Sequence, residues 1–235
     1  MSKQVLLLTD IFGQCAGLER LLADLHHTGA EVHSVDPYQG KRQQFADETQ
    51  AYSAYIEACG HDSYAAIAAQ ALQSHSQPFD LAIGFSAGAT ALWRALAATY
   101  SSKLKQAILF YPGQIHQHLA LTPQVPTQVI FGHSEPHFAV DDICRQLQQR
   151  GVTAISTPYA HGFINPASQA FNETGYQQQL EQLKIEHRDL DDAIRALTAQ
   201  TLVDQLQIAR LKKKKLILKD RIMRLEDQLV PDILA

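Results

Sequence analysis

The chain has 235 residues, 46% hydrophobic and 19% charged, with 12 Gly and 9 Pro, which excludes a disordered tail protein and a collagen-like or low-complexity polymer. A formal net charge of -4 repels phosphate backbones, so no nucleic-acid partner is expected. The longest apolar run near the start, Val5 to Leu8, falls far short of the roughly 20 residues that span a bilayer, and no cleavable leader pattern surrounds it, so a soluble, cytoplasmic protein with no membrane partner is expected.

Short β-rich apolar runs alternate with segments of helical period. Gln4 to Thr9, Ala30 to Val35, Phe79 to Phe85, Gln106 to Tyr111, Thr127 to Phe131 and Val152 to Thr157 read as strands. Helices fall between them. Gly17 to His27 carries Leu18, Leu21, Leu22 and Leu25 on one face, and Phe45 to Ser74 reads as two helices broken near Gly60. Ala89 to Thr99 is Ala-rich, and Val140 to Arg150 has Ile143 and Leu147 four apart. Alternating strand and helix with apolar strands predicts an α/β fold whose mostly parallel sheet is covered by helices on both faces.

The last quarter differs. Residues 1–175 carry 9 Lys or Arg and 14 Asp or Glu, whereas the 60 residues of 176–235 carry 11 and 10. No Gly follows Gly175, and Pro231 is the one later Pro. A boundary near Gly175 is expected, separating a body, 1–175, from a tail, 176–235. Leu180, Leu183, Leu190, Ile194 and Leu197, a pause at Thr198 to Thr201, then Ile208, Leu211, Leu218, Ile222, Leu225 and Leu229 form a coiled-coil-like pattern. It predicts a C-terminal α-helical hairpin. One hairpin cannot bury that seam, so the expected outcome is homo-oligomerisation through 176–235, with docking on the body as the alternative.

Gly84-Phe85-Ser86-Ala87-Gly88 is a G-x-S-x-G sequence placed between a strand and a helix. Its glycines permit a tight turn that exposes the serine oxygen and aims the next residue's N–H at a developing oxyanion, which makes Ser86 a candidate nucleophile. Such a serine needs a base and an acid that orients it. Gly132-His133-Ser134-Glu135-Pro136 and Pro158-Tyr159-Ala160-His161-Gly162-Phe163 each lie just past the carboxyl end of a strand, where open α/β sheets hold their sites. They offer His161 as base and Glu135 as acid, with Asp141 or Asp142 as replacement acids. His116, His118, His133 and His137 have spacings a metal could use, but no carboxylate or cysteine completes a ligand set. Cys15, Cys59 and Cys144 are too widely spaced for a disulfide framework or a zinc site.

Asp10-Ile11-Phe12-Gly13, the turn around Ser86, Tyr111-Pro112-Gly113, Gly132 to Pro136 and His161-Gly162-Phe163 together resemble the dienelactone hydrolase family of α/β-hydrolases over residues 4–175. The resemblance implies Ser86 as nucleophile, His161 as base, Glu135 as acid, and the backbone N–H groups of Ile11 and Ala87 as the oxyanion hole. It implies no metal or other cofactor. The type enzymes have a cysteine nucleophile, an aspartate acid and a glutamate before the Ile-Phe-Gly segment, where this chain has Ser86, Glu135 and Asp10. They also have a substrate-binding arginine where this chain has Asn165.

The implied function is hydrolysis of a small ester or lactone through a serine acyl-enzyme; the alternative is a non-catalytic scaffold acting through its tail. About 14 residues separate Tyr111 from Pro126, too few for a lid domain, so an open site is expected. Residues 180–230 separately resemble the YdcH-like helical-hairpin proteins through His187-Arg188-Asp189-Leu190-Asp191 and the lysine-rich run Leu211 to Asp220.

Overall fold

The computed structural model describes residues 3–16, 18–19, 22, 30–98 and 103–174. The expected tail hairpin and most of the expected helix Gly17 to His27 lie outside the described residues. Met1–Asn172 forms one compact unit.

Six strands build the sheet: β1 (Lys3–Leu8), β2 (Ala30–Val35), β3 (Leu81–Phe85), β4 (Ala107–Phe110), β5 (Thr127–Phe131) and β6 (Thr153–Ser156). Their order is β2-β1-β3-β4-β5-β6, and every pairing is parallel. The helices are α1 (Glu48–Ala58), α2 (Gly60–Ser74), α3 (Ala87–Ala98) and α4 (Val140–Gln149), with a short 3-10 turn at Ile115–His118.

Local chemistry explains most boundaries. Asp47 caps α1 by accepting the Gln50 N–H at 2.8 Å, and Gly60, at φ +70°, supplies the break before α2. Expected and observed elements differ mainly at their ends. Phe79 and Asp80 fall outside β3 because Phe79 makes only an isolated bridge to Leu104, while the Asp80 carboxylate is taken by the Gln4 N–H and by Lys105. Helix α3 starts at Ala87, two residues earlier than the Ala-rich run suggests, because the turn at Ser86 leads straight into it.

Alternating side chains divide the core into two faces, as a period of two requires. Leu6, Leu8, Ala82, Leu109, Val129 and Phe131 pack with Tyr64, Leu72, Trp93, Leu96, Ile143 and Leu147 of the helices. Val5, Leu7, Ile83 and Phe85 pack on the other face with Leu18, Tyr111 and Phe163. Among the described residues, no helix is long and apolar enough to cross a membrane. The strand order reverses between β1 and β3, and in open α/β sheets a crevice forms at such a switch, beyond the carboxyl ends of the strands.

Candidate active site

Ser86 follows β3 at that switch. Its φ of +48° is a conformation that L residues rarely hold, and the surroundings dictate it. Its N–H donates to Phe110 O at 3.0 Å, tying the turn to β4, and its own carbonyl accepts the Thr90 N–H at 3.0 Å as α3 begins. The flanking glycines are there for close approach. A Cβ on Gly84 would lie 2.6 Å from Ala89 Cα, and one on Gly88 would lie 2.2 Å from Thr9 O and 2.7 Å from Leu8 O. Gly88 therefore lets the start of α3 sit directly against the end of β1, bringing Ser86 beside the Asp10-Ile11-Phe12-Gly13 loop.

His161 and Glu135 arrive on neighbouring loops. Thr157 donates both its N–H, at 3.0 Å, and its hydroxyl, at 2.9 Å, to Phe131 O, which runs the end of β6 along the end of β5. The His133 N–H then donates to Tyr159 O at 2.6 Å. Gly132 permits this contact, since a Cβ there would lie 2.7 Å from Tyr159 O and 3.0 Å from His161 N.

The three side chains meet. Ser86 Oγ lies 2.8 Å from His161 Nε2, and His161 Nδ1 lies 2.9 and 2.8 Å from Glu135 Oε1 and Oε2. The carboxylate can only accept, so the ring proton belongs on Nδ1 and Nε2 is left to accept the Ser86 hydroxyl. The Glu135 side chain is 1% exposed, whereas His161 keeps 34%, so the carboxylate is buried behind a partly open imidazole. Asp142 instead pairs with Arg145 on the exposed part of α4, and no bond joins Asp141 to the imidazole. Tyr111, at φ +39°, lays its ring against His161 with centroids 4.8 Å apart.

Ala87 opens α3, where a first-turn N–H has no partner within the helix. Among the described residues, neither the Ala87 nor the Ile11 N–H donates a hydrogen bond. The peptide carrying the Ile11 N–H is nevertheless fixed, because Asp10 O accepts the Gly13 N–H at 3.2 Å and the Thr9 hydroxyl at 3.0 Å. A trans peptide points its N–H away from its C=O, so holding that oxygen also directs the donor.

Asp10 is buried, and its carboxylate accepts the Phe12 N–H at 2.9 Å and the side-chain amide of Asn165. Burial pushes its carboxyl above the usual carboxylate range, opposed by the Asn165 and Phe12 hydrogen bonds and the nearby His161. Asn165 thus ties the histidine loop to the Asp10-Ile11-Phe12-Gly13 loop. Sequence reasoning, which matched Asn165 to an arginine position, did not foresee this contact.

His133 Nδ1 lies 2.9 Å from Tyr159 O, the rings of His116 and His137 are 6.1 Å apart, and no group of three His, Cys, Asp or Glu suited to a metal occurs among the described residues.

An all-parallel sheet with a serine turn after its third strand has the architecture of an α/β-hydrolase. Within that class, the chain belongs to the dienelactone hydrolase family, whose model matches residues 2–187. A second family model, "Protein of unknown function (DUF465)", matches residues 180–226, within the stretch that resembles YdcH-like hairpins.

The chain is 30% identical over 93 residues to the uncharacterized protein YczH of Bacillus subtilis (strain 168); the match covers 38% of this chain and 45% of that protein. Among solved structures it is similar to m3DLH, with 20% identity, TM-score 0.52, and coverage of 94% of this chain and 88% of that one. It is also similar to the dienelactone hydrolase-like promiscuous phosphotriesterase P91 from metagenomic libraries, with 16% identity, TM-score 0.53, and coverage of 74% and 80%. At these identities the structural likeness concerns the fold alone.

Proposed function

We propose that this chain is a serine-dependent hydrolase of a small carboxylic ester or lactone, working without a cofactor. The supporting observation is the continuous line from Ser86 Oγ through the His161 ring to the buried Glu135 carboxylate. In this reading His161 Nε2 takes the Ser86 proton as Oγ attacks the acyl carbon, and Glu135 stabilises the imidazolium that forms.

The negative oxygen of the tetrahedral intermediate receives the N–H groups of Ile11 and Ala87; losing one such donor costs about 3 kcal/mol of barrier stabilisation. His161 then gives its proton to the leaving alcohol, or to the alkoxide of an opened lactone, as the bond to the acyl carbon breaks. Water attacks the acyl-enzyme by the same route, returning the proton to Ser86 and releasing the acid. A serine hydroxyl is far less acidic than a thiol, so His161 has more to do here than beside a cysteine.

The test is labelling of the intact protein with a fluorophosphonate, together with a screen of short-chain esters and lactones. One label per chain at Ser86 and turnover of at least one ester are expected. A chain that takes no label and hydrolyses nothing in the screen is not a serine hydrolase.

We further propose that 1–175 and 176–235 are separate units and that the Leu and Ile seam of the latter joins two copies. Sedimentation velocity of the full chain is then expected to show a dimer or larger species. A monomer at every concentration would rule out association through the tail.

A further inference from the structure

We propose that Tyr38 is a positioning residue for the oxyanion hole: through its hydroxyl it holds the Ile11–Phe12 peptide in the turn that presents the Ile11 N–H. This rests on the reading above, in which Ile11 supplies a donor. Tyr38 lies in the loop after β2, apart from the residues that carry the G-x-S-x-G, acid and histidine motifs.

The geometry around it is tightly specified. The Tyr38 hydroxyl donates to Ile11 O at 2.7 Å and lies 3.4 Å from Ala51 O in α1. Its ring occupies the place where Gly13 would carry a side chain: a Cβ on Gly13 would lie 2.5 Å from Tyr38 Cδ2 and 2.9 Å from Cε2, and Gly13 sits at φ +62°. The loop therefore has a glycine where the tyrosine passes beneath it.

Tyr38 itself is anchored. Its N–H donates to Asp36 Oδ1 at 2.7 Å, and Asp36 Oδ2 accepts the Gly40 N–H at 2.9 Å. Burial, with Asp10 and Asp36 nearby, pushes the phenol up to about 12, so the hydroxyl remains a donor through the neutral range.

Ile11 is thus held by the peptides on both sides of its Cα. The preceding peptide is fixed through Asp10 O, as described above. The following peptide is fixed at its carbonyl by Tyr38 and at its N–H by the Asp10 carboxylate. Removing the tyrosine hydroxyl leaves Ile11 O without a donor and that peptide tethered by its N–H alone, which loosens the turn and lets the Ile11 N–H drift from the position where negative charge develops. Such a donor acts on the transition state and barely on the bound substrate, so its misdirection lowers kcat more than it raises KM.

The test is Tyr38→Phe, which keeps the ring under Gly13 and removes only the hydroxyl, assayed with an ester that the wild type hydrolyses and with active sites counted by fluorophosphonate. The expected result is a fall in kcat per titrated site of about tenfold to a hundredfold, KM within about twofold, and an equal loss of affinity for a boronic acid whose Ser86 adduct places an oxygen in the hole. Genetically encoded 4-aminophenylalanine at position 38, which restores an N–H donor on the same ring, is expected to recover most of the loss.

An unchanged kcat per titrated site in Tyr38→Phe overturns the proposal, because a merely structural role would reduce only the number of sites. If Tyr38→Phe does not fold, 4-fluorophenylalanine at 38 takes its place, keeping the ring and a substituent of nearly hydroxyl size that cannot donate; an unchanged kcat per titrated site then overturns it equally. A wild type that takes no fluorophosphonate and hydrolyses no ester fails the underlying reading instead, which separates the two outcomes.

Discussion

Ser86→Ala is expected to lower turnover of any ester the protein hydrolyses by at least about a hundredfold, and by several powers of ten if the oxyanion hole contributes little alone, since single losses from a serine–histidine–carboxylate set run that high. The fold should survive. The side chain is only partly buried, its Oγ is bonded to His161 rather than packed in the core, and the backbone bonds that hold the turn, to Phe110 O and from Thr90 N, do not involve it. Circular dichroism and thermal unfolding of the variant should match wild type. Retention of more than about a hundredth of the wild-type kcat by a cleanly folded variant would show that Ser86 is not the nucleophile, whatever its distance from the imidazole.

Gly88→Ala is expected to do the reverse, damaging structure and activity together through one methyl group. The added carbon would lie 2.2 Å from Thr9 O and 2.7 Å from Leu8 O, backbone atoms at and just past the end of β1 that cannot rotate away. Relief requires moving the start of α3 from β1 by about 1 Å, an overpacking cost of about 3 kcal/mol. The same shift separates Ser86 and the Ala87 N–H from Ile11, and a 1 Å misplacement at a reacting centre costs about a hundredfold in rate. Gly113→Ala is the control, because its methyl would meet His161 Cε1 at 3.5 Å, an ordinary contact. Denaturant unfolding and turnover of the two variants would decide the matter. A Gly88→Ala protein as stable and active as Gly113→Ala would mean that the close approach of α3 to β1 is not what assembles the site.

Much of this was legible in the sequence, for identifiable reasons. The strand positions follow from short apolar runs that both faces of a parallel sheet must bury, and the break at Gly60 follows from that residue's freedom at positive φ. The turn at Ser86 was legible because G-x-S-x-G stands between a strand-like run and a helix-like run; Gly84 answers a local steric demand, whereas the contact that requires Gly88 is made with the end of β1. Choosing His161 among 11 histidines depended on its place after the last strand, and composition alone could not have made that choice.

What the sequence did not reveal depends on contacts between distant loops. Nothing in Asp36-Pro37-Tyr38-Gln39-Gly40 announces that the tyrosine reaches Ile11, because the hydrogen bond spans 27 positions and depends on the parallel pairing of β1 with β2. Asn165 meets Asp10 across 155 positions, and the pairing becomes visible only once β1 and the histidine loop share one end of the sheet. The Asp10-Ile11-Phe12-Gly13 segment did carry one readable signal, a glycine three residues after an acid, but the partner that requires that glycine lies elsewhere in the chain.

The strand order also bears on when the machinery comes together during synthesis. Once β1 and β2 have paired, β3, β4, β5 and β6 add in turn to a single growing edge, in the same sequence in which they leave the ribosome. Ser86 and the Ile11 loop are therefore made early, while the imidazole follows 75 residues later. At translation speeds of about 5–20 residues per second, Ser86 precedes its hydrogen-bond partner His161 by roughly 4–15 s. On the proposed mechanism, a nascent chain with a formed elbow therefore lacks the group that activates Ser86, and a product cut before the sixth strand is expected to hydrolyse esters far more slowly than the full chain.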